Sequence, residues 1–277
     1  MDIPRALAAG AIQGLTEFLP ISSSGHLAVF YHLSGEAEGA DLPFSVLLHF
    51  GTLLAVLIVF RRDIYALISA FFLILRDLLK GKPDFKTPER RLLAMLVIGT
   101  IPAAAAGVAV KLLKLDGFFA NISVVATLFA VTAAFMFLTD RLKDGGAEET
   151  APYKTALIAG ALQAAAILPG LSRSGATIFG GRLGGLSKDF AVKFAFLLSI
   201  PAILGAAVIE GASVIKNDFS GADPAAWAAG FIAAFVCGML SIGAIKFIAK
   251  HNKFFVFGIY CLLASAFTFA VAFGLIF

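Results

Sequence analysis

Two short polar segments, 150 residues apart, interrupt a sequence that is otherwise strongly apolar. The first segment, residues 13–26, holds Glu17, three consecutive serines at 22–24 and His26. A hydroxyl is a potential nucleophile, and a nearby carboxylate or imidazole can take its proton. Gln13 lies four residues before Glu17, so a helix places both side chains on one face.

The second segment, residues 168–177, has the composition of an anion-binding site. Gly170 and Gly175 permit backbone conformations in which N–H groups converge, and a helix beginning after Gly175 would aim its positive end at the same point. Arg173 adds a permanent charge on a planar fork that matches phosphate oxygens. Further neutral hydrogen-bond donors in this segment are Ser172, Ser174 and Thr177.

Together the two segments contain the groups needed to transfer a phosphoryl group. Arg173 and the glycine backbone would hold the phosphates, and Ser23 would attack the terminal phosphorus while Glu17 or His26 takes its proton. The reverse assignment, with His26 as the nucleophile, is also compatible with the sequence. Two alternatives involve no chemistry. Ser, Thr and Gly often serve only to pack membrane helices, and an Arg173–Glu17 ion pair could simply tie the two segments together.

The composition predicts an integral membrane protein. Apolar residues make up 60% of the 277 residues, charged residues only 14%, and the mean hydropathy is +0.93. A soluble domain has about 25% charged residues, so this chain cannot cover a water-exposed surface. The net charge of +4 comes from basic residues placed between apolar runs. Because they form no contiguous basic surface, we expect no nucleic-acid partner.

The apolar runs predict an all-α polytopic fold with six transmembrane helices, each about 20 residues long. These spans are 42–60, 92–112, 118–139, 194–215, 225–247 and 254–277. His49, inside the first span, is either a core polar residue or a member of the site. Segment 64–79 is short and has basic residues at both ends, so it is a helical extension, an interfacial helix or a seventh span. Segments 3–30 and 155–185, rich in Gly, Pro and hydroxyl residues, are expected to form re-entrant helical hairpins.

The chain, one membrane domain over residues 1–277, also repeats itself. Pairs at a separation of 150 are Gln13 and Gln163, Ser22 and Ser172, and Ser24 and Ser174. The repeats cover approximately 1–140 and 150–277. Each repeat holds three spans, so the halves must have opposite orientations, and the hairpin tips should meet near the membrane midplane. The loops placed inside carry seventeen Lys and Arg residues, against four outside, which puts both termini outside.

At these two segments the sequence resembles the undecaprenyl-diphosphate phosphatases, the bacitracin-resistance family of bacterial inner membranes. The matching residues are 13–26, reading QGLTEFLPISSSGH, and 169–177, reading PGLSRSGAT. Chain length and the order of apolar runs fit as well. The resemblance implies hydrolysis of undecaprenyl diphosphate to undecaprenyl phosphate and inorganic phosphate, which recycles the cell-wall carrier lipid. The rival hypothesis is a prenyl-phosphate flippase, since inverted repeats with broken helices are also typical of transporters.

The resemblance further implies roles for individual residues. The catalytic positions are Glu17, Ser23, His26 and Arg173. The substrate-binding positions are Gln13, Ser22, Gly170, Ser172, Ser174, Gly175 and Thr177. The family uses a divalent cation, Mg²⁺ or Ca²⁺, for which Glu17 is the expected ligand. Many members have Glu where this chain has Gln13, which brings an oxygen but no charge. We expect membrane lipid around the protein and a site open to the outer face, and the sequence leaves a homodimer open.

Overall fold

The computed structural model describes residues 2–35, 42–82, 84–113, 121–146, 151–214, 223–251 and 253–276. These residues form eleven helices. The helices of the first half are α1 (Ile3–Phe18), α2 (Ser23–Leu33), α3 (Leu42–Val59), α4 (Arg61–Leu79), α5 (Pro88–Leu113) and α6 (Ile122–Arg141). Those of the second half are α7 (Tyr153–Ala165), α8 (Arg173–Leu183), α9 (Lys188–Val214), α10 (Pro224–Lys250) and α11 (Phe255–Ala272).

The lengths and apolar character of these helices agree with a multi-pass membrane protein. Five of them, α5, α6, α9, α10 and α11, are long and apolar enough to cross a bilayer. The pair α3 and α4 adds a sixth crossing if it is counted as one span, and it bends by 82° at Phe60. Segment 64–79 therefore continues from α3 after a sharp bend. The count of six spans remains a prediction.

The outward-facing surface of these helices is apolar. On α10, Ile232, Leu240 and Phe247 are each more than half exposed. A protein surrounded by water would bury side chains of this kind, whereas lipid tails accept them without cost. These faces are therefore the lipid-contacting surface of the protein.

Glycines allow the short hairpin helices to pack closely on the long ones. A Cβ on Gly10 of α1 would lie 2.2 Å from the carbonyl oxygen of Gly230 in α10. A Cβ on Gly160 of α7 would likewise lie 2.2 Å from the carbonyl oxygen of Gly99 in α5. Only glycine permits helix backbones to approach this closely. The pairs α1–α10 and α7–α5 therefore make the same kind of contact.

The remaining contacts follow the same scheme. Helix α3 packs on α10 as α9 packs on α5, while α3 also packs on α9 and α6 on α11. Each of these helices has a counterpart in the other half: α1 with α7, α3 with α9, α5 with α10, and α6 with α11. Replacing every helix by its counterpart turns the α3–α10 contact into the α9–α5 contact, and leaves the α3–α9 and α6–α11 contacts as they are. The short helices α1 and α2, and α7 and α8, form two helix–turn–helix hairpins inside this framework. The division of the chain into repeats, and the re-entrant nature of the hairpins, remain predictions.

Candidate active site

The turn of the first hairpin places Ser23 at the start of a helix. Helix α1 ends at Phe18, just before Pro20, and α2 begins at Ser23. Ser22 lies between them with φ of 70°, and its hydroxyl accepts a hydrogen bond from the N–H of Gly25 at 3.2 Å. A non-glycine residue in the left-handed region is uncommon, and such residues cluster at functional sites. Ser23 is thus the first residue of α2.

The turn of the second hairpin does the same for Arg173. Ser172 accepts a hydrogen bond from the N–H of Gly175 at 3.1 Å, and α8 begins at Arg173. Gly170 adopts φ of 98° in the turn, a conformation that favours glycine. Thr132 of α6 accepts a bond from the N–H of Ser172 at 3.0 Å and donates to the carbonyl of Gly170 at 3.2 Å. Helix α6 therefore fixes this turn.

The two hairpin tips touch each other. A Cβ on Gly25 would lie 2.9 Å from the Cα of Gly170, so the turns meet at glycines from both segments. The hydroxyl of Ser174 also donates to the carbonyl of Leu19 across the two hairpins, at 3.1 Å. The fold thus brings together two segments that lie 150 residues apart in sequence.

Glu17 is the centre of the polar groups at this junction. Its side chain is 3% exposed and receives three donors, one of them from the second hairpin. Arg173 Nη2 donates to Glu17 Oε1, while Ser23 Oγ at 2.5 Å and Gln13 Nε2 at 3.0 Å donate to Oε2. An ionised carboxylate only accepts hydrogen bonds, which fits three donors. In this arrangement Glu17 is placed to take the proton of Ser23.

His26 contacts different groups. Its Nδ1 lies 2.7 Å from the carbonyl of Ser22, which can only accept, so Nδ1 is the donor. In the neutral ring, Nε2 then accepts from the hydroxyl of Tyr260 in α11, also at 2.7 Å. The imidazole stacks on the Tyr260 ring and meets Phe129 edge-on. Ser23 donates to Glu17, and the structure does not pair it with His26.

A cavity of about 470 Å³ opens beside Glu17 and Arg173. The predicted site residues that line it are Glu17, Ser22, Ser23, Ser172 and Arg173. From this end the cavity follows α5 from Thr100 to Lys111, twelve residues that span about 16 Å of helix. His49 also lines it, so this side chain lies on the cavity wall and not in an apolar core.

The other predicted residues are not among the described residues that line the cavity. They are Gln13, His26, Gly170, Ser174, Gly175 and Thr177. Gln13 instead donates a hydrogen bond to Glu17 Oε2, as described above. The hydroxyl of Thr177 donates to the carbonyl of Arg173 at 2.8 Å, within its own helix. Thr177 therefore stabilises α8 in this structure.

The backbone N–H groups of residues 170–175 were predicted to converge on an anion. This prediction is wrong for three of these N–H groups, because they bond other groups of the protein. The N–H of Leu171 bonds the carbonyl of Leu168, that of Ser172 bonds Thr132, and that of Gly175 bonds Ser172. These groups close the turn and cap the helix, so they are not available to a phosphate. What remains for an anion at the start of α8 is the N–H groups of Arg173 and Ser174, which have no partner within the helix.

Three residues at the site or along the cavity were not assigned to it from the sequence. Tyr260 lies in an apolar helix, where nothing in the pattern distinguishes it from a membrane-interface aromatic residue. Gln163 lines the cavity, and its match with Gln13 at a separation of 150 was a usable signal. Lys111 lies at the far end of the cavity, where charge counting had treated it only as a topology marker.

The donor atoms at the site fit a divalent cation that the substrate helps to bind. Glu17 is the only acidic side chain among the described residues that line the cavity. The described residues contain no group of three or more His, Cys, Asp or Glu that could hold a metal alone. However, Gln13 Oε1 is buried and has no hydrogen-bond partner among the described residues. Mg²⁺ is commonly held by one or two carboxylates together with substrate phosphates, so Glu17 on the cavity wall fits a cation of this kind, while Gln13 lies off the cavity and donates to Glu17.

The chain is similar to known proteins over nearly its whole length. The family model described as "Bacitracin resistance protein BacA" matches residues 6–267. A protein of Methanosphaera stadtmanae named "Undecaprenyl-diphosphatase" is 37% identical over 274 residues, covering 97% of each chain. Proteins with the same name from Korarchaeum cryptofilum and Syntrophotalea carbinolica are 37% and 36% identical, covering 96% and 98% of this chain and 97% and 100% of theirs. The match extends over both hairpins and the helices around them, and the chain belongs to the bacitracin resistance protein BacA family.

Proposed function

We propose that this protein is a membrane phosphatase that removes the terminal phosphate of undecaprenyl diphosphate. The observation that carries the proposal is the meeting of Ser23, Glu17 and Arg173, from two distant segments, on the wall of one cavity. The relatives are named for this activity, which favours hydrolysis over lipid flipping. Release of the monophosphate would recycle the cell-wall carrier lipid and so confer bacitracin resistance.

The contacts support a mechanism in which Ser23 is the nucleophile. Ser23 Oγ attacks the terminal phosphorus and its proton passes to Glu17, since the two are already hydrogen-bonded. The bond from phosphorus to the bridging oxygen breaks, Glu17 passes the proton to that oxygen, and undecaprenyl phosphate leaves with Glu17 ionised again. Water then hydrolyses the phosphoserine, with Glu17 as the base, and releases inorganic phosphate. Arg173 stabilises the negative charge on the transferred group throughout.

The same contacts favour a positioning role for His26. Its Nδ1 holds the carbonyl of Ser22, which immediately precedes the nucleophile, and Tyr260 fixes the ring from the other side. A proton transfer from Ser23 to His26 requires the imidazole to leave Tyr260. We therefore assign Glu17 as the acceptor of the Ser23 proton, and His26 as the residue that holds the turn in position.

The proposal includes a divalent cation, Mg²⁺ or Ca²⁺. Glu17 would hold it together with the diphosphate, and Gln13 would position the carboxylate through the hydrogen bond from Nε2. When bound, such a cation neutralises charge on the phosphate oxygens. Arg173 already donates to Glu17, so the carboxylate would be shared between the two positive groups.

The proposed arrangement in the membrane is an inverted repeat with six spans and two re-entrant hairpins in the bacterial inner membrane. The matched glycine contacts of α1 with α10 and of α7 with α5 support the repeat. The excess of Lys and Arg in the loops assigned to the inside supports outward-facing termini and a cavity open to the outer face. Two of the four basic residues assigned to the outside, Lys114 and Lys216, lie outside the described residues.

Phosphate release from undecaprenyl diphosphate by detergent-purified protein tests the function directly. We expect the wild type to release one phosphate per lipid and EDTA to abolish release, with recovery on adding Mg²⁺ or Ca²⁺. A pure flippase has no membrane to act across in detergent and would release none. Absence of phosphate release by folded wild-type protein at any concentration of either cation would refute the proposal.

A further inference from the structure

Gln163 is a polar residue that the mechanism above does not use. It lies in the last turns of α7, on the wall of the cavity that holds Glu17 and Arg173. The residue is only 3% exposed, yet neither Oε1 nor Nε2 has a hydrogen-bond partner among the described residues. Its counterpart Gln13, by contrast, donates to Glu17.

An unpaired amide at this position needs an explanation. Buried polar groups are nearly always hydrogen-bonded, because leaving them without a partner destabilises the fold. Leu or Met could fill the same space at a helix–helix contact without that cost. Both the donor and the acceptor of Gln163 are therefore available to something that enters the cavity.

The chemistry of the proposed substrate identifies which part of it reaches Gln163. A prenyl chain offers no hydrogen bonds, so its diphosphate is the only part that can pair with an amide. Phosphate oxygens that carry charge accept hydrogen bonds, which fits Nε2 as the donor. Resting on the function proposed above, we propose that Gln163 is a further substrate-binding residue whose Nε2 donates to a diphosphate oxygen. Its Oε1 then accepts from a bound water or a protonated phosphate oxygen.

The variant Gln163→Met tests this inference, since Met keeps the unbranched shape and removes both polar atoms. We expect kcat/KM for undecaprenyl diphosphate to fall by about 10-fold to 100-fold, the range for losing a hydrogen bond to a charged group. We also expect Tm without ligand to be equal to or higher than that of the wild type, because an unpaired buried amide has been removed. If Gln163 only packed helices, the variant would keep the wild-type kcat/KM.

A second variant and a second readout make the test independent of turnover. Gln163→Glu keeps the size but places a negative charge against the diphosphate, so it should lower kcat/KM further than Gln163→Met. Inorganic pyrophosphate should raise Tm of the wild type, and should do so less for both variants. The matched control is Thr139→Val, which removes a buried hydroxyl whose one hydrogen bond within the described ranges is to the carbonyl of Phe135 in α6 itself. Its activity should be unchanged.

The outcomes separate this inference from the proposed function. Wild-type kcat/KM and a wild-type response to pyrophosphate in Gln163→Met would overturn the inference while leaving the phosphatase intact. If the wild type released no phosphate, the function would fail, and the pyrophosphate response would still decide whether Gln163 binds phosphate oxygens.

Discussion

The two hairpins share one pattern of capping hydrogen bonds. In each, a serine caps the second helix by accepting from the N–H three residues later: Ser22 in the first hairpin and Ser172 in the second. In each, a second hydroxyl two residues further on lies next to the cap, with Oγ–Oγ distances of 3.3 Å for Ser22–Ser24 and 3.1 Å for Ser172–Ser174. The turns therefore present the first residue of α2 and of α8 in equivalent places.

The side chains at these equivalent places differ. Ser23 begins α2, and Arg173, exactly 150 residues later, begins α8. Glu17 has Ile167 as its counterpart, and that isoleucine lines the cavity as an apolar wall. The first hairpin thus supplies the hydroxyl and its proton acceptor, while the second supplies the positive charge. The comparison teaches that the repeated backbone fixes where groups lie, and single residue differences decide what each group does.

The largest expected effect comes from removing the hydroxyl of the first hairpin. In Ser23→Ala, phosphate release should fall by at least about 10³-fold, as for the loss of an enzyme nucleophile. The measurement is the rate of phosphate release at saturating lipid, with radiolabelled terminal phosphate used to detect phosphoserine in the wild type. Ser34→Ala, which removes a hydroxyl at the far end of α2, is the control and should retain wild-type activity. Retained turnover in Ser23→Ala would remove Ser23 from the chemistry.

A smaller loss is expected from weakening the positive charge of the second hairpin. Arg173→Lys keeps the charge but replaces a planar fork by a single ammonium group, so it can no longer pair with Glu17 and phosphate in the same geometry. We expect kcat to fall by about 10²-fold, the scale for one lost transition-state donor. The surface substitution Arg76→Lys controls for the exchange of residue type. Equal kcat in Arg173→Lys and wild type would show that only the charge matters.

Much of this comparison could be predicted from the sequence, because it depends on local rules. Proline disfavours a continuing helix, and Pro20 and Pro169 both lie in the turns. Serine is a preferred residue at a helix start, which is where Ser22 and Ser172 lie. The spacing of Gln13 and Glu17 places them on one helix face in any fold. Once the hairpins were expected to meet, the proximity of Arg173 to Glu17 followed from the charges alone.

The parts that the sequence did not reveal depend on tertiary packing. Tyr260 reaches His26 across 234 residues, and no local pattern marks one tyrosine of an apolar helix as a partner. The backbone N–H groups of 170–175 were expected to face an anion, but Thr132 of α6 takes one of them. The contacts of Gly10 with Gly230 and of Gly160 with Gly99 likewise depend on which helices pack together.

A modest effect is expected where the first hairpin depends on α11. Tyr260→Phe keeps the ring that stacks on His26 but removes the hydroxyl that donates to Nε2. We expect kcat to fall by about 2-fold to 10-fold with KM unchanged, because the imidazole that holds the Ser22 carbonyl is less firmly oriented. Steady-state kinetics on both proteins measure this split. A loss as large as that of Ser23→Ala would instead mean that Tyr260 takes part in proton transfer.

The smallest change in rate is expected when Gln13, in the first hairpin, is replaced by glutamate. Gln13→Glu places a second carboxylate four residues before Glu17 on the same helix face, and removes the donor that now holds Glu17 Oε2. Because affinity for a divalent cation rises with the number of charged oxygen ligands, the Mg²⁺ concentration for half-maximal phosphate release should fall by about 10-fold. The maximal rate should stay within about 3-fold of the wild type.

Gln163→Glu is the matched change in the second hairpin, where the residue four positions later is Ile167. Without an adjacent carboxylate, the new charge has no partner with which to share a cation, so the Mg²⁺ requirement should not fall. A titration of phosphate release against Mg²⁺ for both variants compares the hairpins directly. An equal gain in Mg²⁺ affinity in both variants would show that the cation lies between the hairpins, and that metal binding does not belong to Glu17 and its own helix.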